Sequence, residues 1–231
     1  MQLNDVLAAL EKMGSPEVKQ TKARFAITAD HSHGIFLKDL KLLAKQIGTN
    51  DELALQLFDS GVYEARLLCS NLYNPAHLTE TLMEKWVATF ENWEICDTFC
   101  MGFFGVTPFA VSKALQWTTY PGEFQKRAGF VLMVAYAFTD KHASNDVIRQ
   151  FFPIMIQHAN DDRTYVMKGI NWALRQVGKR NPDLYQEAIE VAHQIQALGS
   201  TSARWIAKDA LRQLNSPKVF FKNYPREIYG Q

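Results

Sequence analysis

Five stretches of this chain resemble one another, and their shared pattern limits the fold more than any other feature. "YEARLLCSNLY", "NWEICDTFCMGFFG", "EFQKRAGFVLMVAY", "YVMKGINWALRQV" and "TSARWIAKDALRQL" each read as an apolar helix with a polar head. A charged residue holds the same slot in each: Arg66, Asp97, Arg127, Lys168 and Arg204, at spacings of 31, 30, 41 and 36. Periods of that size belong to stacked helix pairs, in which one helix of each pair lines a common concave face. The rest of the chain agrees. "DELALQLF" and "LMEKWVATF" also place apolar residues at i, i+3 and i+4, and strand-like alternation is nearly absent. Turn signals recur at "SGV" 60–62, "NP" 74–75, "TP" 107–108, "YPG" 120–122 and "NP" 181–182. Asn181 followed by Pro182 fits an N-cap with proline at the first helical position.

The expectation is an all-α chain, an α-α superhelix of about twelve short helices with HEAT-like pairing. It forms a single domain over residues 1–231 and ends in a tail at 219–231, "VFFKNYPREIYGQ". No Gly/Ser linker interrupts it. The 47% hydrophobic content is enough for a packed core. The apolar run "GFVLMVAYAF" is too short for a bilayer, and the N-terminus has no signal-peptide pattern. Three cysteines, Cys69, Cys96 and Cys100, suit a reducing compartment, so a cytoplasmic location is expected. Cys96 and Cys100 share a helical face and read as small buried hydrophobes. His31 and His33 offer one edge of a metal site that no further ligands complete, so no metal and no cofactor is expected. Walker, nucleophile-elbow and dinucleotide-binding patterns are absent.

Charge is unevenly distributed. Residues 1–100 carry 9 Lys+Arg and 14 Asp+Glu, whereas residues 101–231 carry 16 and 10, within a net charge of +1. Cations set along one face suit a phosphate backbone, which they position without reading sequence. Trp93, Trp172 and Trp205 lie in the same helices and add stacking capacity. Asp97 is the exception, a carboxylate in a slot that is elsewhere basic and one helical turn from Trp93. An anion in such a surface repels DNA but would steady a sugar on which positive charge develops. Each residue also has a plainer reading. Trp93 packs in the core, Asp97 is solvated, Arg127 is an ordinary surface arginine, and Trp172 opens an apolar helix as a support. Lys168, Arg175, Lys179 and Arg180 make a solvated basic face. Arg204 and Lys208, one turn apart, form a second phosphate contact unless Asp209 pairs with them.

"ENWEICD", "QKRAGF", "NWALRQVGKRNP" and "ARFAITADHSHGI" together resemble the AlkD-like DNA alkylation repair glycosylases over roughly residues 15 to 215. That resemblance implies a HEAT-like solenoid that releases N3- and N7-alkylated purines from duplex DNA without base extrusion. It implies catalytic roles for Asp97, Trp93 and Trp172: Asp97 stabilises the sugar cation and positions water, and the two tryptophans pack against the deoxyribose. Arg127 would anchor the backbone phosphate, with Lys168, Arg175, Arg204, Lys208 and Phe25 as further DNA contacts. The partner implied is duplex DNA carrying alkylated purines, bound by a monomer, with no membrane. Phe25 departs from the family pattern, in which active members carry a tyrosine nine residues before the glycine that is Gly34 here. The family also includes members that bind unusual DNA shapes without excision. A non-catalytic DNA-binding solenoid and a protein-interaction scaffold are therefore the alternatives.

Overall fold

The computed structural model describes residues 1–230, which are all-helical with no strand. They divide into two compact units, Met1–Thr107 and Pro108–Gln231. Of the C-terminal tail expected at 219–231, Gln231 lies outside the described residues.

The first unit contains α1 (Leu3–Met13), α2 (Pro16–Arg24), α3 (Leu37–Ile47), α4 (Asp51–Asp59), α5 (Tyr63–Leu72), α6 (Glu80–Val87) and α7 (Trp93–Gly102). Side-chain caps start several of them: Ser15 accepts from Val18 N, Asn50 from Leu53 N, Thr79 from Leu82 N, and Asn92 from Glu94 N and Ile95 N. Helix α5 packs on α3, α4 and α7. The core is an aromatic cluster centred on Trp86, whose ring centroid lies 5.1 Å from that of Phe58 and 5.6 Å from that of Phe99. Staggered rings of this kind contribute beyond their buried area.

The second unit contains α8 (Ala110–Trp117), α9 (Glu123–Thr139), α10 (Asn145–Arg149), α11 (Phe151–His158), α12 (Thr164–Gly178), α13 (Pro182–Ala197), α14 (Thr201–Leu214) and α15 (Arg226–Tyr229). Helix α12 packs against α9 on one side and α14 on the other. Gly129 permits the close approach of α9 to α8, since a Cβ there would lie 2.7 Å from the backbone nitrogen of Thr118. Among the described residues fifteen α-helical segments form, more than the expected dozen partly because α10 and α11 are separate. Pro153, near the start of α11, has no N–H to bond back to Arg149 and so discourages one continuous helix. Asn181 caps α13, accepting from Leu184 N at 3.0 Å, with Pro182 at the first position as the sequence predicts. Among the described residues, no helix is long and apolar enough to cross a membrane.

The repeat register holds within the individual helices. Arg66 and Arg204 are the fourth residues of α5 and α14, and Asp97, Arg127 and Lys168 are the fifth residues of α7, α9 and α12. These are the helices that stack on one another, α5 on α7 in the first unit and α9, α12 and α14 in the second.

Candidate functional site

In the first unit, Trp93 and Asp97 lie one turn apart on α7, and both are half-buried. The start of that helix is fixed by a buried polar network. The ammonium of Lys22 lies 2.8 Å from the Glu94 carboxylate, with side-chain exposures of 5% and 7%. The Tyr63 hydroxyl lies 2.9 Å from the same carboxylate and 3.0 Å from Asn92 Oδ1, and its single proton serves one acceptor at a time. Burial, then the negative charge of Glu94, pushes this phenol far above its ordinary value, so it remains a donor. Asn92 completes the network by donating to Thr28 O at 3.2 Å.

Trp93 is tied to the same loop, its indole N–H donating to Phe25 O at 2.8 Å. Phe25 itself is 64% exposed, an unusual position for so large an apolar ring. Its placement follows from how α2 ends. Ile27 N bonds to Lys22 O at 3.1 Å and Ala26 N to Ala23 O at 2.9 Å, the paired bonds of a Schellman motif. The motif needs a left-handed residue, and Ala26 supplies it at φ 56°, a conformation that strains any residue with a Cβ. Downstream, fully buried Glu64 holds the "HSHGI" segment, accepting from Ser32 Oγ at 2.8 Å and from the backbone nitrogens of His33 and Gly34 at 2.9 Å each. Gly34 sits at φ 78°, where an added Cβ would come within 2.4 Å of Ser15 O.

Arg66 does not fit the expected row of cations. It donates to both carboxylate oxygens of Glu91, at 2.7 and 3.0 Å, and to Thr89, while its guanidinium lies over Phe58. A bidentate partner occupies its charge.

In the second unit, Arg127 is buried rather than on the surface. Its Nη1 donates to Tyr165 O at 3.0 Å, and its guanidinium lies 6.0 Å from the Tyr165 ring centroid. Exposed Lys168 approaches the same ring at 5.4 Å, so Tyr165 serves as a platform for two cations. Trp172 is half-buried and is the ninth residue of α12 rather than its first, because the apolar spacing begins upstream at Val166. One turn on, Arg175 donates to Asn171 Oδ1 at 2.9 Å and to Gln213. Burial lowers the pKa of Arg175, and nearby Asp209 only partly opposes this. Arg204 and Lys208 are exposed on α14. Asp209 pairs with Arg212 and Gln213 and not with them. Arg180 also departs from the solvated face expected of it. It is completely buried beyond the end of α12 and donates to Ala137 O and Ala143 O at 2.9 Å each.

The residues missed by sequence reasoning are Lys22, Tyr63, Glu64, Glu94 and Tyr165. Their partners lie up to 72 residues away, so no local pattern marks them. For Tyr165 the one local signal is an aromatic three residues before a lysine on a helix face.

Stacked helix pairs of this kind define a HEAT-like repeat fold. A solved structure with a TM-score of 0.78 and 18% identity matches it, covering 96% of this chain and 97% of the other. That protein comes from a family described as related to the HEAT-like repeat DNA glycosylases and as having affinity for branched DNA structures. No curated protein sequence matches the chain. A sequence profile of DNA alkylation repair enzymes matches residues 6–214, and the chain belongs to that family.

Proposed function

We propose that the protein is a monofunctional DNA glycosylase that hydrolyses the N-glycosidic bond of N3- and N7-alkylated purines. The observation that carries this reading is the Trp93–Asp97 pair, one turn apart on a helix whose first turn is pinned by buried Lys22, Glu94, Tyr63 and Asn92, with exposed Phe25 hydrogen-bonded to it through its backbone. Groups that act electrostatically in a transition state must be held in place before the reaction, and the buried network does that.

An alkylated purine of this kind is already cationic and leaves with the glycosidic electron pair as a neutral base. It therefore needs no general acid. As the bond breaks, positive charge develops on the deoxyribose, and the Asp97 carboxylate stabilises it. A water oxygen bonds to the sugar carbon, one of its protons passes to bulk solvent, and an abasic site remains. The family resemblance gives Trp93 and Trp172 as the aromatics that pack against the deoxyribose, and Phe25 supplies an apolar contact with no hydroxyl. Lys168, Arg204 and Lys208, which are solvent-exposed, provide the phosphate contacts, whereas buried Arg127 and tethered Arg175 support the helices that carry them. The substrate is duplex DNA, bound by a monomer.

The test is release of 7-methyl- or 3-methylpurine from alkylated DNA. Asp97→Asn, with unchanged helix content, is expected to lose on the order of 10²-fold or more in rate, as other electrostatic groups do. Absence of base release by the wild type would sink the reading. A second reading, non-catalytic binding of branched DNA, is favoured by the description of the structural neighbour and by Phe25 in place of the family tyrosine. In that case Asp97→Asn binds DNA as well or better, and neither form releases base.

A further inference from the structure

We propose that a basic cavity at the C-terminal ends of α12 and α14 is an oxyanion site that clamps one phosphate group of the DNA backbone. The cavity has a volume of about 240 Å³ and is lined by Lys179, Arg212, Gln213, Ser216, Lys218 and Val219. Three cations therefore line it, and a fourth, Arg175, bonds to Gln213 in the lining. Asp209 is the acid in contact with this group, pairing with Arg212 and Gln213.

Cations gather at helix C-termini for a plain reason, because the exposed carbonyls there carry partial negative charge. That demand falls within the last turn and is met by Arg175 on α12 and Arg212 on α14. Lys179 is the C-cap residue of α12, and Lys218 lies four residues beyond the end of α14. Among the described residues, neither side chain has an ion-pair partner. Burial, and then repulsion from Arg175, lowers the pKa of Lys179.

The neutral groups are also set to donate. Gln213 Oε1 is occupied by Arg175 and one amide hydrogen by Asp209 at 2.9 Å, which fixes the amide orientation and leaves its second N–H available. Ser216 Oγ accepts from Lys218 N at 3.3 Å, and its O–H is left to donate. Two ammoniums, a guanidinium, a hydroxyl and an amide suit a tetrahedral oxyanion.

The source is a nucleic-acid backbone because the cavity continues a cationic track. Arg204, Lys208 and Arg212 are all exposed and follow one another at four-residue intervals along α14, each step rising about 6 Å. The DNA source rests on the DNA-binding reading above, whereas the oxyanion site does not.

Two measurements on the full-length protein test this. In the first, anisotropy of a labelled plain duplex is followed against NaCl for the wild type and for Lys179→Gln/Lys218→Gln. One phosphate fewer neutralised lowers the slope of log affinity against log salt by about 0.9. An unchanged slope and affinity overturn the proposal. In the second, inorganic phosphate is titrated while the backbone amide signals of Gln213, Ser216 and Lys218 are followed. Saturable shifts in the wild type that vanish in the double variant support the site, and no shift overturns it. Shifts with phosphate in a protein that binds no duplex overturn the DNA source and the DNA-binding reading together, while the oxyanion site stands. The Lys179 carbonyl, which accepts from Lys222 N at 3.0 Å, is untouched by the substitutions.

Discussion

Replacing Glu94 by alanine tests whether the buried network fixes the start of α7. The substitution leaves the Lys22 ammonium without its carboxylate in a site where its side chain is only 5% exposed. Breaking a buried pair from one side costs about 3–5 kcal/mol, because the remaining charge is uncompensated. The Tyr63 hydroxyl adds little to that loss, since Asn92 Oδ1 at 3.0 Å is ready to accept its proton. Lys22→Met/Glu94→Leu removes both charges and fills the space, so its cost should be small or its effect stabilising. A double-mutant cycle closed with the single variants Lys22→Met and Glu94→Leu should therefore show a coupling of roughly 3 kcal/mol. Hydrogen exchange in peptides from residues 60–102 provides the assay, because it reports the first unit without requiring the whole chain to unfold in one step. Glu94→Ala should speed exchange there by about two to four decades, and the double variant by less than one. If both variants lose the same amount, and less than about 1 kcal/mol, the pair does not hold the helix and the argument from preorganisation fails.

Two further outcomes follow from particular residues. Ala26→Gly should stabilise the protein by about 0.5–1 kcal/mol, since a left-handed residue with a Cβ costs roughly 1–2 kcal/mol and glycine returns part of that through its freer unfolded chain; a raised urea midpoint is the check. Burial and the neighbouring charges of Arg180 and Lys179 lower the pKa of Lys222 to about 7. Between that value and the ordinary lysine range the unfolded chain binds a proton the folded protein does not, so stability should rise with pH across the window and level off above it. Melting temperatures at about pH 6.5 and pH 9.5 should differ less in Lys222→Met than in the wild type.

The tail that carries Lys222 shows how composition and tertiary contact divide the work. Its aromatics mark it as a segment able to dock, and Phe221 packs edge-on against Tyr185 while Tyr224 lies under Arg180. What places it is the backbone, with Lys222 N and Tyr224 N bonding to the carbonyls of Lys179 and Arg180 at the end of α12. No spacing in the tail announces those partners.

The helical periodicity, the Asn181 cap and the Trp93–Asp97 spacing were legible in the chain alone, because helix periodicity and the i to i+4 relation are local geometry. The charged slots of the five repeat helices were legible for the same reason. The fate of each charge was not. Among the slot cations, Arg66 is bound by Glu91, Arg127 is buried against a carbonyl, and Lys168 and Arg204 are exposed, though all four look alike in sequence. Whether a cation is available depends on which acceptors the packing brings to it. Those acceptors, like the Glu94 that meets Lys22 from 72 residues away, are chosen by tertiary contact rather than by neighbours along the chain.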